Sequence, residues 1–183
     1  PEWAKFVSPQ MKQYFRLHLL CTKTDAKTIT IRLDHDSAEA ALAAPRGAAN
    51  FLAEIIKRTL AKLGIDTDLA FNLEFNHTGS IENHPLHIHG AFCIPEDRVK
   101  AVSEALRKAL AMDYRQRYKN LAVHIEQPRN ARWWATYCIK EYGITASKLE
   151  AERGRKNRPD YATQKLTQET KAFYEDIGVW LNT

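Results

Sequence analysis

Cysteine is scarce and scattered in this chain: Cys21, Cys93 and Cys138 are its three, and no Cys-x-x-Cys pair occurs. An odd, unclustered count argues against a disulfide framework or a zinc ribbon and fits a reducing compartment, so a cytoplasmic location is expected. Glycine and proline number seven each in 183 residues, too few for a collagen-like or low-complexity chain. No apolar run approaches the roughly 18–20 residues of a membrane span. No basic-then-apolar leader is visible either, so neither secretion nor membrane insertion is expected.

What is there fits one soluble domain with a genuine core: 44% of residues are hydrophobic and 27% charged. The formal net charge of +5 is compatible with a nucleic-acid partner but is too small to identify one.

Periodicity divides the chain into alternating elements. Residues 13–22 set Phe15, Leu17 and Leu19 against Arg16 and His18, the period-2 pattern of a half-buried strand. Residues 28–33 alternate as well. Between 48 and 63, Phe51, Leu52, Ile55, Ile56, Leu60 and Leu63 recur at helical spacing, with Gly64 as the stop. Phe71, Leu73 and Phe75 alternate with polar partners, and after a turn-like stretch at 77–80 the segment 86–92 alternates again. Pro95-Glu96-Asp97 opens a helix whose buried stripe is Val99, Val102, Leu106 and Leu110. A further strand covers 121–126. Asn130 caps a helix running through Trp133, Trp134 and Tyr137 to about Tyr142, ended by Gly143. A basic loop at 153–158 and a last helix carrying Leu166, Phe173, Ile177 and Trp180 complete the chain. This order predicts an α+β fold, an antiparallel sheet with helices packed mainly on one face. Residues 1–143 form the predicted domain, and 144–183 a basic loop and C-terminal helical extension that is part of it or packed on it.

The segment His84-Pro-Leu-His87-Ile-His89-Gly90 holds the sharpest chemical signal. Residues two apart on a strand share a face, so His87 and His89 project together while Leu86 and Ile88 enter the core. A short connection makes the preceding strand an antiparallel neighbour, which would set Glu74 beside the pair. Two imidazoles and a carboxylate leave coordination positions open. They suit Mg²⁺ or Mn²⁺ holding a phosphate and could also take Zn²⁺, Fe²⁺ or Co²⁺. His124 and Glu126 share the polar face of the later strand, and Glu126 is an alternative carboxylate. On the following helix Tyr137 and Lys140 are three apart and share a face. A tyrosine has an ordinary pKa of ~10 and needs a cation nearby to act as a nucleophile at neutral pH. The spacing also brings multicopper oxidases to mind, but no His-Cys-His run is present; the first gap breaks a histidine triad, and the helical content exceeds that of a cupin.

Taken in order, these pieces resemble the replication-initiator branch of the HUH endonucleases, the nicking enzymes of rolling-circle plasmids and single-stranded DNA viruses. The apolar segment at 14–21 stands where that family has its first motif. Glu74 stands where many initiators place an acidic ligand, Pro85-Leu-His87-Ile-His89-Gly90 looks like the His-hydrophobe-His motif, and Tyr137-Cys-Ile-Lys140-Glu141 is similar to the Tyr-x-x-Lys motif. The match covers roughly residues 12–143, with no counterpart for 28–46 and none for a helicase. The resemblance implies a ferredoxin- or RRM-like fold and a metal (Mg²⁺ or Mn²⁺) held by His87, His89 and Glu74. It further implies Tyr137 as nucleophile, Lys140 as the residue that stabilises the transferring phosphate, and single-stranded or hairpin origin DNA as substrate. A helicase would act in trans. Arg153, Arg155, Lys156 and Arg158 of the basic loop are the expected DNA-backbone contacts. Tyr142, five residues on from Tyr137, reads as a packing or base-stacking residue, and Trp133 and Trp134 as core. Transposases and relaxases of the same superfamily, or a non-catalytic DNA-binding domain of the same shape, are the alternatives. Lys140 and the late position of Tyr137 favour an initiator.

Overall fold

The computed structural model describes residues 2–75, 82–115, 122–153 and 157–181. The elements run α1 (Trp3–Phe6), α2 (Pro9–Cys21), β1 (Ala26–Arg32), α3 (His35–Ala43), α4 (Ala48–Lys62), β2 (Leu69–Phe75) and β3 (Leu86–Cys93). They continue through a 3₁₀ turn (Glu96–Arg98), α5 (Val99–Leu110), β4 (Val123–Glu126), α6 (Ala131–Ile139), α7 (Tyr142–Arg153), β5 (Asp160–Ala162) and α8 (Gln164–Leu181). The strands form one five-stranded sheet in the order β4-β1-β3-β2-β5, every pairing antiparallel. The fold is therefore α+β. No helix among the described residues is long and apolar enough to cross a membrane.

Several predicted features are corrected. The segment 13–22 is not a strand; it belongs to α2. Ser8 caps that helix by accepting from the Met11 amide, and Pro9 sits at its first position, where a missing N–H costs nothing. The buried residues of α2 are Gln13, Arg16, Leu17, Leu20 and Cys21, a helical stripe that the alternation of Phe15, Leu17 and Leu19 concealed. The element matched to the first family motif is thus a helix. The first strand of the sheet is β1, which runs into the segment without a counterpart.

Helices also cover both faces of the sheet, not mainly one. On one face Leu69, Phe71, Leu73, Leu86, Ile88 and Phe92 meet α3, α4 and α5 in the main core. On the other, Ala70, Ala91 and Ala162 form a row of small side chains across three strands. Leu17, Leu20 and Cys21 of α2, Ala135, Cys138 and Ile139 of α6, and Leu166 of α8 pack there. Small residues let the helices approach the sheet closely, and beyond the alanine row the same face carries polar side chains.

Other boundaries follow local chemistry. Gly64 ends the α4 turn with φ +70°, a conformation glycine adopts without steric cost. Asn130 caps α6 by accepting from the Trp133 amide at 2.8 Å. That helix stops at Ile139, and Gly143 lies in the first turn of α7 instead of ending α6. The turn expected at 77–80 and the start of the expected strand at Leu121 lie outside the described residues.

Candidate metal centre and nucleophile

The register of the sheet builds the site. Glu74 on β2 stands directly opposite His87 on β3, and Asn72 directly opposite His89. All four share the face that carries the alanine row, because residues two apart on a strand point the same way. One side-chain atom from each of Glu74, His87 and His89 comes within 4.8 Å of the others, and all three residues are buried. His87 Nε2 is 3.6 Å from Glu74 Oε1, and His89 Nε2 is 3.8 Å from Oε2.

Outer contacts aim the imidazoles. His87 Nδ1 lies 3.1 Å from the Pro85 carbonyl, which can only accept, so Nδ1 donates there and Nε2 is the nitrogen turned toward Glu74. His89 Nδ1 meets the Thr30 hydroxyl at 3.0 Å, which again leaves Nε2 on the carboxylate side. Burial, reinforced by the neighbouring His87 and Lys140, pushes His89 down to about 3, so its ring is neutral at neutral pH. Burial alone would raise the Glu74 carboxyl, but His87, Lys140 and His89 outweigh it and hold it below its ordinary value. Lys140 makes the shortest of these contacts: its Nζ lies 3.1 Å from Oε1. Burial lowers the Lys140 ammonium, yet Tyr137 and Glu74 together raise it, so it remains charged.

Helix α6 supplies the other half. Trp134 donates its indole N–H to the Gly90 carbonyl at 2.9 Å, which fixes the helix over β3. One turn on, the Tyr137 ring meets the His89 ring edge-on at 5.1 Å, and the Lys140 ammonium sits 3.6 Å from the Tyr137 ring centroid. Trp133 and Trp134 each stack on Tyr137, at 5.3 and 5.4 Å. Trp134 is half-buried, but Trp133 is 62% exposed, so the expectation that both tryptophans are core fails for Trp133. It sits on the open side of α6, held by its neighbour's ring.

Glu74, His87, His89, Tyr137 and Lys140 thus line one cleft of about 230 Å³. Periodicity gave no reason to single out several of its other residues. Arg32 stands opposite His87 from β1, and Tyr114 reaches the cleft from the segment after α5. Thr30 could have been found: it lies two residues before Arg32 on an alternating strand, on the same face as His89. The alternative carboxylate Glu126 is paired with His124 at 3.3 Å on β4, and both are exposed. His124 stands opposite Thr30, with β1 between it and His89.

The basic loop is only partly described. Arg155 and Lys156 lie outside the described residues, as does the side chain of Arg153. Arg158 grips Asp160 through two hydrogen bonds, Nε to Oδ1 at 2.9 Å and Nη2 to Oδ2 at 3.0 Å. It lines a separate cavity of about 430 Å³ together with Arg16 and Arg46. Tyr142 belongs to that neighbourhood: burial and the Asp160 carboxylate push its phenol up to about 12.

The donor set fits a divalent cation, since two imidazole nitrogens and a carboxylate converge with the outer hydrogen bonds of both rings already made. Oε2 of Glu74 is buried and has no hydrogen-bond partner among the described residues, as expected of an acceptor reserved for a cation. No family model, no curated protein and no solved structure matches the chain.

Proposed function

We propose that this protein is a metal-dependent endonuclease that nicks single-stranded or hairpin DNA through a covalent tyrosine intermediate, a replication initiator of the HUH type. The observation that carries this reading is the convergence of Glu74, His87 and His89 within 4.8 Å, with Tyr137 against His89 and Lys140 bridging Tyr137 and Glu74. Three separate sequence signals meet in one cleft, and that is what a metal-assisted phosphoryl transfer by tyrosine requires.

Glu74, His87 and His89 would hold Mg²⁺ or Mn²⁺. When bound, such an ion polarises the scissile phosphodiester and offsets charge on its non-bridging oxygens. Tyr137 Oη attacks phosphorus; the Oη–P bond forms, the P–O3′ bond breaks, the phenol gives up its proton and the departing 3′ oxygen takes one up. The products are a 5′-phosphotyrosine and a free 3′-OH able to prime synthesis. The Lys140 ammonium favours the phenolate and the charge of the transferring phosphoryl group. Because the diester energy is stored in the tyrosine bond, the same site can rejoin a strand without ATP. A transposase, a relaxase or a non-catalytic DNA-binding domain remains the competing assignment.

The test is a denaturing gel after incubating the protein with a labelled pool of single-stranded DNA and Mn²⁺. A DNA-shifted protein band that requires metal and disappears in Tyr137→Phe and His87→Ala is expected. DNA retention with no metal-dependent cleavage or adduct would favour the binding domain. Loss in Tyr142→Phe but not in Tyr137→Phe would retain the chemistry and replace the nucleophile.

A further inference from the structure

Asn72 occupies the fourth corner of a two-by-two grid of side chains on one face of the sheet. Glu74 and His87 form one cross-strand pair, Asn72 and His89 the next. Directly opposed residues hold their Cβ atoms about 5 Å apart, so the Asn72 amide starts beside the His89 ring and two positions from Glu74. Its surroundings make it unusual. Asn72 is 1% exposed, and neither its carbonyl oxygen nor its amide nitrogen has a hydrogen-bond partner among the described residues.

Three polar groups on neighbouring strands and on α6 are already engaged. Asp160, opposite Asn72 on β5, is gripped by Arg158. The Thr30 hydroxyl is taken up with His89 Nδ1, and the Trp134 indole with the Gly90 carbonyl. A buried primary amide with both ends unpaired is costly, and folded proteins retain such a group mainly where something else satisfies it. Two buried oxygens on one strand face, Asn72 Oδ1 and Glu74 Oε2, are left without partners, on residues that stand opposite His89 and His87.

We infer that Asn72 is a fourth protein ligand of this centre, supplying a neutral carbonyl oxygen to the cation held by Glu74, His87 and His89. The inference rests on the metal-binding reading of the site and deepens it. An amide oxygen is a hard donor, so it biases the set toward Mg²⁺ and Mn²⁺, and four protein ligands on a six-coordinate ion leave two positions for substrate oxygens. No nearby charge is added, so the net charge of the ligand set stays that of Glu74 alone.

Metal-stripped protein titrated calorimetrically with MnCl₂, with melting curves in its presence and absence, tests this. Asn72→Val removes both unpaired polar atoms. It is expected to melt at or above the wild-type temperature without metal, yet bind Mn²⁺ about 10–100-fold more weakly and lose most of the Mn²⁺-induced rise in melting temperature. Asn72→Asp keeps an oxygen donor and is expected to bind Mn²⁺ at least as tightly as wild type. A purely structural role would give the opposite pattern, a lower metal-free melting temperature in Asn72→Val with unchanged Mn²⁺ affinity. That pattern, or weak binding by Asn72→Asp, overturns the inference. If wild type binds no Mn²⁺, the metal reading falls and the inference with it; if wild type and Asn72→Val bind alike, only the inference falls.

Discussion

Lys140 Nζ lies 3.1 Å from Oε1 of Glu74, so this cation is bonded to one of the three residues that could hold a metal. The ammonium is one-third exposed and the carboxylate buried, which makes Lys140 the movable partner. It pairs with Glu74 on one side and lies over the Tyr137 ring on the other.

Two opposed effects are therefore expected of Lys140→Gln. Losing a competitor for Glu74 raises Mn²⁺ affinity by a few-fold, measured by calorimetry, since charge-assisted bonds of this kind are worth roughly 1.5–3 kcal/mol before competition is counted. Losing the cation beside Tyr137 lowers the rate of adduct formation by about 10²–10³, the scale for removing one transition-state donor. A fall in both would assign Lys140 to the integrity of the site instead.

Gly90 allows the sheet to carry this cleft. A Cβ there would lie 2.2 Å from the Ala70 carbonyl oxygen and 2.5 Å from Phe71 Cβ, with backbone that cannot yield. Gly90→Ala is expected to lose at least about 1–3 kcal/mol in urea unfolding, the scale of core overpacking, or to fail to accumulate as folded protein. Trp134→Phe keeps the ring and removes the indole bond to the same residue. It should cost about 1 kcal/mol and reduce adduct formation while leaving Mn²⁺ affinity unchanged.

Tyr142 should leave a signature in the alkaline range. The folded-state pKa of Tyr142 is raised from 10.0 to about 12, so its stabilising contribution is complete below pH 10 and is lost as pH climbs toward 12. Urea midpoints of Tyr142→Phe should accordingly fall less steeply than wild type above pH 10. The variant should retain the metal-dependent adduct.

Thiol chemistry gives an independent check on packing. Burial pushes Cys21 up to about 12 and raises Cys138 far above its ordinary value, whereas Cys93 is only half-buried. At pH 8 a disulfide reagent should modify roughly one thiol or fewer in the native protein, and all three after unfolding in urea. Rapid reaction of all three in the native state would contradict the packing of α2 and α6 on the sheet.

The site was more legible than the frame around it. The pairing of Glu74 with the histidines follows from period 2 and a short connection, both local properties of the sequence. The segment 13–22 misled because Phe15, Leu17 and Leu19 alternate while Gln13, Leu17, Leu20 and Cys21 also fit a helix; the Ser8-Pro9 start signal just upstream decides between them. Burial of Gln13 and Arg16 could not be foreseen from composition, since each is placed by distant partners: the Phe71 and Tyr161 carbonyls for one, Asp160 for the other. Asn72 was equally hidden, because an asparagine on an alternating strand reads as an ordinary solvated position. The alanine row escaped notice too, for small residues signal close approach only once the register across three strands is known.

The sheet order also bears on where this protein can be cut. Strand β5, three residues long, lies far along the chain yet shields the outer side of β2, where the Leu73 amide bonds the Pro159 carbonyl and the Gln13 amide spans Phe71 and Tyr161. Severed after Gly143, the strand that carries Glu74 would present bare N–H and C=O groups to solvent. Such a raw edge recruits other strands. A shortened chain would therefore self-associate through the ligand-bearing strand, although every residue of the cleft was still present.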